Sequence, residues 1–241
     1  MEKMKWIEDL KIKIFSDSAS IEDIKMLGEL KYIKGFTTNP SLLRKAGVVN
    51  YELFIKEALS LIQDKPISFE VISDDFDQMK KQAVKLSNFG SNVYVKIPVM
   101  NTRGISSANL ISDLLALDVK VNVTAVMTLK QIEDLAKVLK RKKPVIISIF
   151  AGRIADTGID PVPIIKKARE ILKGLENVEL LWASPRELLN IFQAEEAGCD
   201  IITILPEFLK KIHLVSYDLH NFSLDTIKMF FNDAVSSNLT I

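Results

Sequence analysis

NVYVKIP (92–98) sets a lysine, Lys96, between Val95 and Ile97 in a short run that is otherwise mostly apolar. Apolar runs of this length, without polar alternation, suit strands of a parallel sheet covered on both faces. Seven other stretches read the same way: KIFSD (13–17), KGFTTN (34–39), ISFEVIS (67–73), VKVNVTAV (119–126), VIISIF (145–150), VELLWAS (178–184) and DIITILP (200–206). Between them lie segments with apolar residues three and four apart, the period of an amphipathic helix. They are IEDIKMLGEL, YELFIKEALSLI, FDQMKKQAVKLSNF, SANLISDLLAL, LKQIEDLAKVLKR, PVPIIKKAREILKGL and RELLNIFQAEEAG. Gly90, Gly174 and Gly198 each stand between a helix and a strand, where a left-handed residue ends the helix. Ser73, Asp74 and Asp75 suit a helix start.

Strand and helix therefore alternate eight times, which predicts a parallel α/β fold. Eight units and 241 residues fit one (β/α)8 TIM barrel. An open doubly wound sheet is the competing architecture. No Gly-rich dinucleotide or Walker loop is present, and no Pro- or Ser-rich linker divides the chain. The reading is one catalytic domain over 1–241, with an N-terminal extension at 1–11 that forms a short helix. A C-terminal helix is expected at 223–235 (SLDTIKMFFNDAV), with Ser223 as its N-cap.

The net charge of +1, from 32 basic and 31 acidic residues, argues against a nucleic-acid or polybasic membrane footprint. No apolar run reaches the roughly 18 residues of a membrane span, and MEKMKWIEDL lacks the apolar stretch of a signal peptide. One cysteine, Cys199, excludes an intrachain disulfide and points to a reducing, cytoplasmic setting. Cys199 reads as a small buried hydrophobe, and Trp6 and Trp182 as packing residues. His213 and His220 lack metal-ligand spacing, and no His/Cys/Asp cluster suggests zinc. RKK (141–143) reads as a solvated helix end.

In such a barrel the site lies at the C-terminal strand ends. The polar residues there are Asp17, Thr37, Thr38, Asn39, Glu70, Lys96, Asn122, Thr124, Ser148, Arg153, Ser184, Arg186 and Glu207. A lysine forced into apolar surroundings loses hydration and acidifies, and a neutral amine is the nucleophile that forms an imine. The alternative is a lysine that snorkels to the rim. Glu70 is either an ion-pair partner of Lys96 or a proton shuttle, and the two roles are compatible. Asp17, like Ser18, competes with a simple helix cap. Arg153 and Arg186, with Ser184, suit a phosphate dianion near the last strands; the alternative for each arginine is a surface ion pair.

Several of these motifs, in order, resemble the transaldolases, in particular the small branch that includes fructose-6-phosphate aldolase. They are GFTTNPSLL (35–43), VYVKIP (93–98), ISIFAGRIADTG (147–158) and LLWASPRELLNIFQAEEAGCDIITILPEFLKKI (180–212). The resemblance implies that Lys96 forms the Schiff base and Asp17 takes the C4 hydroxyl proton. Glu70 and Thr124 would hold the proton-carrying water. Asn39 and Asn122 would orient the dihydroxyacetone part, and Ser148 would align lysine and substrate. Arg153, Ser184 and Arg186 would bind phosphate. Glu70, Phe150 and Asn122 match the transferase, where the aldolase has glutamine, tyrosine and glycine. Phe150 is accordingly a substrate-side candidate, with plain packing as the alternative.

Departures are VMNTRG (99–104), one residue longer than usual, Ile149 for a usual proline, Pro185 between the two phosphate residues, and the first dozen residues, absent from short members. The implied activity transfers a dihydroxyacetone unit between phosphorylated sugars, as in the pentose phosphate pathway, without metal or organic cofactor. Alternatives are an aldolase releasing dihydroxyacetone, a transaldolase for a modified sugar, and a barrel that only binds sugar phosphates. A homo-oligomer is expected, its copy number open.

Overall fold

The structure is a computed structural model and describes residues 5–139 and 143–237. Eight strands follow one another around a closed parallel barrel: β1 (Lys13–Asp17), β2 (Ile33–Thr37), β3 (Ile67–Glu70), β4 (Val93–Pro98), β5 (Val121–Val126), β6 (Val145–Ile149), β7 (Val178–Trp182) and β8 (Ile201–Ile204), with β8 pairing back onto β1. The open sheet is thereby excluded. The helices are α1 (Lys5–Glu8), α2 (Ile21–Gly28), α3 (Pro40–Lys45), α4 (Tyr51–Leu61), α5 (Phe76–Ser87), α6 (Ala108–Ala116), α7 (Leu129–Ala136), α8 (Ala151–Ala155), α9 (Pro161–Ile171), α10 (Leu189–Glu196), α11 (Pro206–Leu209) and α12 (Leu219–Ser236).

Several strands stop short of the expected ends because polar groups there capture the backbone. After Glu70, the N–H groups of Ile72 and Ser73 donate to Gln82 Oε1 on α5 rather than to a strand. After Thr37, Asn39 turns the chain into α3, its side chain accepting the Leu42 N–H at 2.9 Å. α10 starts at Leu189, not Arg186, because Asn190 Oδ1 accepts the N–H groups of Arg186 and Glu187 and holds the preceding loop.

Several other expectations hold, and those for Gly90 and the C-terminal helix need correction. Asp75 caps α5 through the Gln78 N–H. Gly174 and Gly198 have the left-handed φ of 87°, whereas Gly90 is not left-handed. A Cβ on Gly90 would instead meet Asn92 Oδ1 at 2.9 Å, so close packing is what calls for glycine there. The C-terminal helix begins four residues early, at Leu219. Its N-cap is Asp218, which accepts from Asn221 N, and Ser223 lies inside it. In the RKK patch, Arg141 and Lys142 lie outside the described residues, and Lys143 pairs with Asp118 at 2.7 Å. Cys199 is buried, which pushes its thiol up to about 12. His213 and His220 are exposed. Trp182 is buried on β7, while Trp6 is half-buried and packs on Phe192.

The barrel interior is layered. Phe15, Ile146, Leu181, Ala183 and Ile201 form an apolar cluster, with Tyr94 and Phe150 packed against it. Side chains two apart on a strand face the same way. Asp17, Lys96, Ser148 and Thr203 therefore stand on the same inward side as Phe15, Tyr94, Ile146 and Ile201, one step nearer the C-terminal end. Gly35 makes room for this packing, since a Cβ there would lie 2.5 Å from the Phe15 ring.

Two irregularities break the ladders. β5 carries one extra residue against β6 between Val123 and Val126, and Ala125 has φ 60°. β2 carries one extra residue against β1, because Ile14 faces Ile33 while Phe15 faces Gly35. α12 differs from the other long helices in burying none of its side chains.

Candidate active site

A cavity of about 470 Å³ opens at the C-terminal end of the strands. Asp17, Asn39, Glu70, Lys96, Thr124, Ser148, Phe150, Arg153, Ser184 and Arg186 all line it. Register brings three site strands together: Glu70 on β3 faces Lys96 on β4, and Lys96 faces Asn122 on β5. Lys96 is only 6% exposed. Its Nζ lies 3.2 Å from Glu70 Oε2 and donates to the Thr38 carbonyl at 2.7 Å. Snorkelling to solvent is thus excluded. The ion-pair reading of Glu70 holds, and the pair sits on the cavity wall.

Asp17 does not cap α2; Ser20 does, by accepting the Asp23 N–H. Ser18 accepts from Ser20 N at 3.1 Å and also does not cap. The Asp17 carboxylate instead accepts from Thr37 Oγ1 at 2.7 Å and Asn39 Nδ2 at 3.1 Å. Burial pushes its pKa above the ordinary carboxylate value; the charge of Lys96 and the two hydrogen bonds oppose that rise without cancelling it.

Asn122 is placed differently from the other candidates. It is fully buried and does not line the cavity. Its Oδ1 accepts from Ser148 Oγ at 2.7 Å and its Nδ2 donates to Ser68 Oγ at 3.0 Å. It therefore orients Ser148, which does reach the cavity. Thr124 sits at the β5 bulge, and its buried Oγ1 has no hydrogen-bond partner among the described residues. A buried hydroxyl left unpaired is costly unless a water or ligand satisfies it.

The arginines stand at the rim. Arg186 forms a two-pronged ion pair with Asp156, so the surface-pair reading holds for it in the free protein, while its residue still lines the cavity. Arg153, on α8, is exposed and has no carboxylate within 4.0 Å among the described residues. Ser184 holds a left-handed φ of 58°. Its carbonyl approaches Gly152 so closely that a Cβ there would lie 1.6 Å away, and Arg186 Nε would be 3.2 Å from it. Only glycine permits this contact.

Sequence reading missed several supporting residues. Tyr51, on α4, accepts the Glu70 N–H at 2.9 Å and donates to the Glu70 carbonyl at 3.2 Å, and burial pushes its phenol up. Thr203 lies 2.6 Å from Thr37 Oγ1. Asp156 and Gly152 were visible inside ISIFAGRIADTG but carried no sign of their partners. Tyr51 sits in a helix, where only the fold reveals its direction. Among the described residues, no group of three His, Cys, Asp or Glu side chains is arranged to hold a metal, and no helix is long and apolar enough to cross a membrane.

Fold and site together define the class: a (β/α)8 barrel with a buried lysine held against a carboxylate at its C-terminal mouth. The chain belongs to the transaldolase/fructose-6-phosphate aldolase family, whose sequence pattern matches residues 14–237. A probable transaldolase of Carboxydothermus hydrogenoformans is 37% identical over 194 residues, 80% of this chain and 86% of its own. One from Methanococcus maripaludis is 35% identical over 83% and 89%. One from a Thermoanaerobacter species is 32% identical over 90% and 95%. Solved structures share the fold at lower identity. An aldolase, QR15, has a TM-score of 0.56 at 16% identity, over 86% of this chain and 99% of its own. Dihydrodipicolinate synthase from Rhodopseudomonas palustris has 0.58 at 14%, over 93% and 80%.

The raised pKa of Asp17 has a stability consequence. When burial raises a carboxylate's pKa, folding disfavours its charged form. The penalty is absent below the unfolded value near 3.8. It grows as pH rises toward the folded value and is complete above it. Asp17→Asn should therefore be more stable than wild type at pH 7, with the advantage shrinking as pH falls toward 4. Denaturant midpoints across that range check this; an unchanged or reversed trend would show that the carboxylate is not strained.

Proposed function

We propose that the protein is a transaldolase that moves a dihydroxyacetone unit from a ketose phosphate to an aldose phosphate, with Lys96 as the nucleophile. The observation that carries this is the buried Lys96 amine, 3.2 Å from Glu70 and in one cavity with Asp17. To attack, the amine must first be neutral, and among the described residues Glu70 is the carboxylate within 4.0 Å that can take its proton. Nζ adds to the ketose C2 carbonyl, and loss of water leaves an iminium. Glu70 and the unpaired Thr124 hydroxyl hold the water that carries these protons. Asp17 then takes the C4 hydroxyl proton while the C3–C4 bond breaks. The aldose phosphate departs, and its electron pair remains on the three-carbon enamine. The reverse steps join that enamine to the acceptor aldehyde. Asn39 and Ser148 orient the three-carbon unit, with Asn122 holding Ser148, and Arg153, Ser184 and Arg186 receive the phosphate.

Borohydride added with fructose 6-phosphate should fix a three-carbon adduct on Lys96, read by peptide mass. An adduct on another lysine, or none on an active enzyme, would overturn the assignment. Glu70→Ala should lose about 10²–10⁴-fold in rate.

Transfer is favoured over release of dihydroxyacetone because Phe150 lines the cavity. A phenyl ring neither donates nor anchors a water, whereas a tyrosine hydroxyl does both. Phe150→Tyr should raise dihydroxyacetone formation from fructose 6-phosphate relative to transfer to erythrose 4-phosphate. An unchanged ratio would make Phe150 a packing residue.

We also read the enzyme as cytoplasmic and homo-oligomeric. α12 exposes Phe222, Ile227, Phe230, Phe231 and Val235, each at least 45% accessible, and buries nothing. An isolated helix of 18 residues is marginal in water, and its apolar face suits a second copy of the chain. Sedimentation velocity should show a multimer that Phe230→Asp dissociates; a monomeric wild type would contradict it.

A further inference from the structure

A second cavity, of about 440 Å³, lies near the N-terminal strand ends, at the start of β1 and β2. Its floor is apolar: Ile7, Ile12 and Ile14 are buried there, and Leu10 is half-buried. Its wall carries Lys11, Lys13, Lys31 and Lys34 with the half-buried Tyr32, and among the described residues no carboxylate lines it. Lys13 is neutralised by Glu179 at 2.5 Å. Lys11, Lys31 and Lys34 have no carboxylate within 4.0 Å among the described residues, and Glu195 nearby is engaged by the backbone N–H groups of Lys11 and Ile12.

Two further observations set this cavity apart from an ordinary basic surface. First, Lys34 is the extra residue of the β2 bulge, lying between Ile33 and Gly35, which pair with successive β1 residues. Bulges re-aim side chains, and the barrel's other bulge lies at the active-site Thr124. The Lys34 charge is also felt by its neighbour. Burial, and then the positive charge of Lys34, lower the Lys65 pKa, while the Lys65 ammonium is held by the Gly28 and Leu30 carbonyls. Second, most of the apolar floor lies ahead of the region that matches the family. Ile7, Leu10 and Ile12 precede residue 14, where the family match begins.

We propose that this cavity is a binding site for a nucleotide-type ligand, with its phosphates on Lys11, Lys31 and Lys34 and its flat apolar part against Tyr32 and the isoleucine floor. The volume lies within the range of small-molecule sites, which combine an apolar lining with a few convergent polar groups. Three cations without counter-charges favour a polyanion, and the aromatic and aliphatic floor favours a ligand that is more than phosphate alone.

Calorimetric titration of the whole protein with ATP, pyrophosphate and adenosine, at about 0.15 M ionic strength, tests it. ATP should bind saturably, more tightly than either pyrophosphate or adenosine. Lys34→Ala and Lys31→Ala should each weaken ATP about tenfold or more, while Arg186→Ala leaves it unchanged. Absence of saturable ATP binding overturns the proposal. So does ATP binding that survives the triple Lys11, Lys31 and Lys34 to alanine variant, or that is displaced by fructose 6-phosphate. Pyrophosphate binding as tight as ATP overturns the apolar half of the site. A change in sedimentation of the unliganded protein on Lys34→Glu would show that a second copy of the chain covers the cavity, and would overturn it equally.

Discussion

A single ammonium inside the barrel sets the terms for much of what surrounds it. Lys96 is 6% exposed, and a buried charge is tolerated only when paired and hydrogen-bonded. The register of β3 on β4 supplies the pair by placing Glu70 opposite Lys96. The end of β2 supplies the hydrogen bond through the Thr38 carbonyl. Removing one partner of such a pair typically costs about 3–5 kcal/mol, because the other charge is left stranded. The pair therefore constrains three neighbouring strands at once. Tyr51 extends the constraint outward by clamping both backbone polar groups of Glu70 from α4. Below the pair, the cluster around Phe15, Ile146 and Leu181 closes the interior, so the lysine faces a cavity with one open end.

Two departures from regular geometry lie at the same end of the barrel. Ala125 and Ser184 both hold left-handed φ values, a conformation that costs non-glycine residues on the order of 1–3 kcal/mol and persists where the surroundings enforce it. At Ala125 the enforcing element is the β5 bulge, which presents Thr124 to the cavity. At Ser184 it is the missing side chain of Gly152, which admits the Ser184 carbonyl. The raised pKa of Asp17 belongs with these: a carboxylate held where its charge is disfavoured is a stronger proton acceptor than a solvated one. Stability is spent locally to aim or activate groups, and the surrounding apolar packing between strands and helices sustains it.

Much of the fold was legible because its signals are local. Eight apolar runs alternating with amphipathic segments lead to the barrel, and inward residues follow from the period of two once one lysine is placed. The candidate residues were legible because polar side chains at strand ends stand out against such runs. What escaped was decided by partners distant in sequence. Nothing near Tyr51 announces Glu70, and nothing near Gly152 announces Ser184. Asn122 reads like a cavity residue from its strand position, yet Ser68 and Ser148 take both ends of its amide and hold it below the surface. Asp17 followed by two serines reads as a cap, and only the loop path shows that Ser20 performs that task. The early start of α12 has a local cause, Asp218, but Ser223, also a good N-cap residue, stands closer to the apolar run.

The two ion pairs of the cavity differ in a way that matches the tasks proposed for them. Lys96 and Glu70 are 7% and 16% exposed at their side chains, so the low-dielectric surroundings hold them together and a substrate must react with the pair where it stands. Arg186 and Asp156 are 48% and 47% exposed, and pairs in water contribute only about 0–1 kcal/mol. Asp156 can therefore keep the guanidinium extended and correctly turned, yet yield it to a phosphate at small cost. In the proposed role, a phosphate dianion that reaches both Arg186 and Arg153, the latter without a carboxylate within 4.0 Å among the described residues, outcompetes one carboxylate. The proposed mechanism asks for exchange at the rim and retention at the floor: in it, phosphate enters and leaves with each half-reaction, while the enamine on Lys96 stays between them.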